Sequence, residues 1–366
     1  MFFRIYLNLM RQTFLIFVLF CITNVTVGQT RKYSNEFLSI GVGARSLSMS
    51  NAMVANTNDA TSGYWNPAGL ASMQTEFDAG LMHAEYFAGI AKYDYLGGAM
   101  KLDTNSFLGA TVIRFGVDDI PNTTDLIDSE GNIDYDRISR FSAADYAFLL
   151  SYARKSRIPN LNYGANVKII YRNIGKFAYA WGFGLDLGLQ YSINDWKFGV
   201  LARDVTSTFN AWTFNEDELI IEVQDSTFNF APENSLEITL PKLVVGVSRS
   251  FSIYNKFKGM AEVDLDFTFD GQRHVLIEGD PVSIEPHAGI EINYNQLAFI
   301  RFGVGNFQRI EEFQNQESLT FQPNFGIGIH FKGISIDYAL TDIGDQSLAI
   351  YSNVFSLRYS FDRKTN

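Results

Sequence analysis

The sequence predicts a membrane-spanning, all-β, antiparallel barrel of about fourteen strands. Three observations predict it: period-two alternation of apolar and polar residues along most of the chain, an export-type N-terminus, and connections that alternate between short and long. Of the 366 residues, 46% are hydrophobic, 15% aromatic and only 19% charged. That is aromatic-rich and charge-poor for a soluble domain. Strands that alternate faces average to near-neutral hydropathy, so a barrel escapes the search for long apolar helices. The net charge of −11, with no basic patch, argues against a nucleic-acid partner.

The chain opens MFFRIYLNLMRQTFLIFVLFCITNVTVGQT. Arg4 and Arg11 form a positive start, and Phe14 to Ile22 is an apolar run too short to span a bilayer. Thr26 and Gly28 place small residues before a cut that leaves Gln29 first, so residues 1–28 read as a signal peptide. The only cysteine, Cys21, lies inside it, and Phe20 before it does not suit a lipoprotein cleavage box. The exported chain is then expected to carry no disulfide and no thiolate chemistry.

From residue 75 to 366 the chain reads as barrel. In Phe177–Tyr191 one face is Phe177, Tyr179, Trp181, Phe183, Leu185, Leu187, Leu189 and Tyr191, while the other is mostly Gly and Ala. Successive side chains of a strand point to opposite faces, so one face suits lipid and the other a crowded interior. Such segments fall near 75–86, 89–102, 105–116, 141–155, 161–173, 177–192, 195–203, 240–253, 257–269, 285–294, 296–307, 321–332, 334–341 and 348–361. The links at Asp103-Thr104, 157–160, Asn194, Tyr254-Asn255, Asn295 and Lys332-Gly333 are short and mostly rich in turn formers. Every long link (117–140, 204–239, 270–284, 308–320, 342–347) falls in the other set, as in a barrel with tight periplasmic turns and long outer loops.

Residues 29–74 precede the barrel and are expected to form a plug or hatch in its lumen. Within them, GVGARSLSMSNAMVANTNDATSGYWNPAGLASM (Gly41 to Met73) resembles the N-terminal signature of the PorV/PorQ family of outer-membrane proteins. The matching residues include Gly43, Ala44, Arg45, Met49, Asp59, Trp65, Asn66, Pro67, Ala68 and Gly69. Ser48, Ser50 and Asn51 stand where that family commonly carries glycine. The Asn-Pro-Ala element is shared with the wider FadL-like superfamily of fourteen-stranded barrels. The resemblance implies an accessory role in type IX secretion, with translocon components or sorting-domain cargo bound at the outer loops. The superfamily implies an alternative, transport of a hydrophobic ligand across the outer membrane. Phe209, Trp212, Phe214, Phe228 and Phe230 are the candidate partner-binding residues, in the long link 204–239. Asn66-Pro67 is a turn former, Trp65 an apolar anchor, and Arg45 and Asp59 are expected to pair in the lumen.

No enzymatic constellation emerges. His83, His274, His287 and His330 have no zinc-ligand spacing, and His287 and His330 fall on the expected lumen face. Gly182-x-Gly184 and Gly326-x-Gly328 lie inside strands with no helix following, so they are not phosphate loops. Asp128, Glu130, Asn132, Asp134 and Asp136 leave calcium binding and a solvated acidic loop both open. Glu262, Asp264, Asp266 and Asp270 form one lumen-facing stripe, expected to be offset by Lys92, Lys168, Arg172, Lys197, Arg203 and Arg358. No cofactor and no resident metal are expected.

Overall fold

A computed structural model describes residues 34–127, 131–223, 226–229, 232, 235–312, 316–343 and 351–362. The expected signal peptide, Phe230, Asp128 and Glu130 lie outside these residues, as does the side chain of Phe228.

The strands are β1 (Phe77–Tyr86), β2 (Ala91–Lys101), β3 (Ser106–Asn122), β4 (Ser139–Lys155), β5 (Leu161–Ile174), β6 (Ala178–Ile193), β7 (Trp196–Arg203), β8 (Thr208–Phe214), β9 (Ile220–Val223), β10 (Ser226–Asn229), β11 (Leu236–Thr239), β12 (Lys242–Tyr254), β13 (Phe257–Thr268), β14 (Ser283–Tyr294), β15 (Ala298–Glu312), β16 (Gln316–Phe331), β17 (Ile334–Thr341) and β18 (Ser352–Phe361). All but the β9–β10 hairpin join one antiparallel sheet. It closes where β1 meets β18, with Phe77 opposite Phe361 and Glu85 opposite Asn353. β7 and β8 share one place in the wall, and β11 and β12 another, which gives a closed barrel of fourteen strand positions.

The alternation seen in the sequence is the alternation of the wall. On β6, Tyr179, Trp181, Phe183, Leu187, Leu189 and Tyr191 are exposed on the outside, while Ala180, Gly182, Asp186 and Gln190 are buried within. Aromatic pairs cross the ladder on the outer face, as Tyr171–Trp181 does at 4.7 Å between ring centroids. The tight turns fall as expected. Asn160, Asn194, Asn255, Asn295 and Lys332 there have φ between 47° and 63°, the left-handed backbone that asparagine tolerates better than other non-glycine residues.

The outer hairpins are taller than expected. β3 runs on to Asn122 and β4 starts at Ser139, and the predicted link 308–320 is largely taken up by the ends of β15 and β16. Above the lipid neither strand face needs to be apolar, so the period-two signal fades before the pairing does.

Candidate functional site

Residues 34–74 pack against the inward faces of the barrel. Helix α1 (Ala44–Ser48) lies against β15 to β18. On the opposite side, after helix α2 (Ser62–Trp65), the 3-10 turn Pro67–Ser72 lies against β3 to β6. Almost every side chain from Val42 to Ala71 is buried. Two inward glycines show how close the approach is. A Cβ on Gly164 would lie 2.6 Å from the Pro67 carbonyl carbon, and one on Gly188 would lie 2.9 Å from Pro67 Cδ. Gly182 and Gly184 instead make room for Asn210 and Thr208 of the wall itself.

The motif residues hold this segment in shape. Asn66 caps the 3-10 turn by accepting from Ala68 N (3.1 Å) and donates to Val54 O (2.9 Å) and Leu189 O (3.0 Å). Trp65 Nε1 donates to Val42 O (2.9 Å), and its ring meets that of Tyr64 edge-on. Gly43 has φ +87°, and Met49 is fully buried. Ser50 and Asn51 have φ 53° and 68°, a backbone that glycine adopts without strain.

The expected Arg45–Asp59 pair does not form. Arg45 pairs with Glu291 (2.9 Å), which Arg301 also holds (2.7 Å), while Asp59 pairs with Arg358. Burial opposes ionisation of Asp59, but the charges of Arg358 and Arg45 overcome it and hold its carboxyl below the usual carboxylate range. Burial likewise opposes the charge of Arg45, and Glu291 outweighs it, leaving the guanidinium pKa raised.

The acidic stripe on β13 is answered differently from expectation. Asp264 Oδ2 accepts from the backbone N–H of Met53 (2.8 Å) and Val54 (2.9 Å), and Glu262 Oε1 from that of Ala55 (2.7 Å). Farther along the stripe side chains answer instead: Asp266 pairs with Lys242 and lies 3.6 Å from the imidazole of His287, and Asp270 pairs with Arg273. Lys92 does not face the lumen at all. It points outward and pairs with Asp118 (3.2 Å).

The wall is interrupted beside this segment. The β6–β7 ladder ends at Leu187 opposite Ala202, and the β6–β8 ladder restarts at Phe183 opposite Phe209, out of register by three residues. Asp204 and Ser207 between them have left-handed backbone. Behind the break sits a buried polar cluster. Lys168 bonds Asp186 (2.8 Å) and Asp204, Thr208 donates to Asp204, and Asn166 ties Asp186 (3.1 Å) to Gly63 O (2.7 Å). Arg203 stacks on Tyr64 at 4.6 Å and donates to Tyr64 O (3.0 Å).

Above the segment lies a cavity of about 420 Å³, walled on one side by Tyr64, Trp65, Tyr86, Phe87 and Phe115 and on the other by Lys242, Asp266, Glu285 and His287. Arg203 and Leu201, at the edge of the wall break, also line it. A second cavity of about 240 Å³ opens among Arg45, Asn58, Glu291, Arg301, His330 and Arg358.

Of the candidate partner-binding residues, the three whose side chains are described lie on a strand. Phe209, Trp212 and Phe214 lie on β8, Phe209 facing outward and Trp212 on the inward side beneath Arg172, whose guanidinium sits 5.0 Å from its ring. Asp134 caps the 3-10 turn Tyr135–Arg137 by accepting from the N–H of Asp136 (3.0 Å), which lies within the turn, and Asp134 pairs with Arg137 (3.3 Å). Among the described residues no group of three His, Cys, Asp or Glu is arranged to hold a metal.

No protein-family model and no curated protein sequence matches the chain. Solved structures do. The Pseudomonas putida toluene transporter TodX superposes with TM-score 0.57 at 14% identity, covering 88% of this chain and 99% of its own. The CymD monoaromatic hydrocarbon channel gives 0.55 at 14% identity, covering 89% and 99%. A Pseudomonas aeruginosa FadL homologue gives 0.50 at 11%, covering 87% and 98%. The fold is that of the FadL-like barrels of the outer membrane. These likenesses carry no sign of the finer PorV/PorQ resemblance.

Proposed function

We propose that this barrel carries small hydrophobic compounds across the outer membrane. The observation that carries the reading is the aromatic-walled cavity that reaches Leu201 and Arg203 at the edge of the break between β7 and β8. The cavity is of the size of ordinary small-molecule sites. Its apolar side suits a hydrocarbon, and the irregular ladder beside it, bridged by Val205 N donating to Leu185 O (2.9 Å) and with lipid outside, suits lateral release into the membrane. The likeness to TodX and CymD, named for toluene and monoaromatic hydrocarbons, supports the same class of cargo. Toluene uptake by cells carrying the barrel tests it. Uptake above that of cells without the barrel, lowered several-fold by Tyr64→Ala combined with Phe115→Ala, is the expected result. Uptake that does not depend on the barrel sinks the reading.

The Gly41–Met73 motif supports a second reading, a PorV/PorQ-like accessory protein of type IX secretion that holds translocon components or sorting-domain cargo at its outer hairpins. Pull-down from outer membranes separates the two. Recovery of a translocon barrel or of sorting-domain cargo favours the second, and recovery of the barrel alone removes it.

A further inference from the structure

The outer wall at the closing seam differs from the rest of the wall. On β6 and β16 seven successive outward positions are apolar or aromatic, Tyr179 to Tyr191 and Leu319 to Phe331. On β1, β2 and β3 there are three each, ending at Leu81, Leu96 and Val112. Above them the outward face carries His83 and Glu85, Asp94 and Lys92, then Arg114 and Asp118. His83 stands six residues above Phe77, roughly 15 Å along the barrel axis for a tilted strand, inside an apolar band that is normally about 25 Å tall. Lipid tails cannot solvate these charges.

We propose that this seam face is the contact between two copies of the chain, standing side by side in the membrane. Two upright copies are related by a twofold axis along the membrane normal, so each edge of the patch meets the opposite edge at the same height. One edge offers Glu85, which lies 3.8 Å from the imidazole of His83. The other offers Arg114, held loosely between Asp94 (3.4 Å) and Asp118 (3.7 Å). On the axis, Lys92 and Asp94 stand two residues apart on β2, and each is already bridged within its own copy, Lys92 to Asp118 (3.2 Å) and Asp94 to His83 (2.7 Å), so like charges that face each other there are offset. A patch of both signs with a carboxylate at one edge and a guanidinium at the other complements itself. Below it, Leu81, Leu96 and Val112 close the lower part of the interface as an apolar contact.

Oxidative cross-linking in intact outer membranes tests this, using Leu96→Cys at the centre of the patch and Ile327→Cys on the far wall; the only native cysteine is Cys21. A band at twice the barrel's mass for Leu96→Cys, absent for Ile327→Cys, is expected. Adding Glu85→Arg is expected to lower that band about tenfold, and adding Arg114→Glu to it to restore the band. Cross-linking to a polypeptide of another mass, equal cross-linking at both sites, or none at Leu96→Cys overturns the proposal. The heat-dependent gel mobility of folded barrels confirms that each variant is assembled.

Discussion

The wall at β6–β8 and the wall at β1–β3 fail in opposite ways. The first is apolar over its whole height yet its ladder is broken between Arg203 and Thr208. The second is paired without interruption from Phe77 to Tyr86 but turns polar at His83. Strand pairing and lipid compatibility are therefore set by different residues. Each departure carries its own compensation. The broken ladder is backed by the Lys168 cluster and fastened to Gly63 and Tyr64 of the inner segment. The polar wall is internally bridged, His83 to Asp94 at 2.7 Å and Lys92 to Asp118 at 3.2 Å.

Four tests sharpen that contrast. The largest effect is expected from Lys168→Met, which strands Asp186 and Asp204 in a buried site and costs about 3–5 kcal/mol. The midpoint of urea unfolding, read by heat-dependent gel mobility, measures it; a midpoint like the parent's would mean the cluster does not brace the break. Next, Leu187→Arg on the apolar wall is expected to cost about 2–4 kcal/mol, and Leu96→Arg beside the polar seam distinctly less. Equal costs in the same titration would erase the difference between the two walls. Gly188→Val drives a side chain into Pro67 and is expected to cost about 1–3 kcal/mol, with residues 34–74 becoming open to protease while the barrel stays folded. The smallest effect is on pH. Because the folded carboxyl of Asp59 is held below its unfolded value, its contribution is complete above the ordinary carboxylate range and is lost as pH falls through the depressed folded value. Protease access to residues 34–74 is therefore expected to rise in acid, and Asp59→Asn to flatten that rise.

Much of the wall was legible in the sequence, because one buried and one lipid-facing side force a strict period of two. Phe177 to Tyr191 shows this most plainly. β8 was not legible as a strand for the same reason in reverse. Along β7 the even-numbered residues such as Phe198 face out, whereas on β8 the odd-numbered Phe209 and Ala211 do, so the alternation changes phase across Asp204–Ser207. A pattern reader sees the phase change as a loop. The Asn66-Pro67 turn and the apolar Trp65 of the inner segment could be read in the sequence. The segment's partners could not, since charge type alone does not say that Glu262 and Asp264 bind backbone amides, or that Arg45 reaches Glu291 in place of Asp59. Lys92 was misplaced because a charge on a barrel strand is ordinarily a lumen residue.

The attachment of Met53, Val54 and Ala55 to β13 through their main-chain N–H groups has a consequence for variation among descendants of this sequence. A carboxylate that grips an amide is indifferent to which side chain the amide carries. Positions 53 to 55 are then free to drift among residues of similar bulk, with proline the one replacement that removes the grip. Glu262 and Asp264 have no such freedom. The inheritance of this joint rests on one partner only, and a survey of related chains would find the acids kept where the residues they hold have changed.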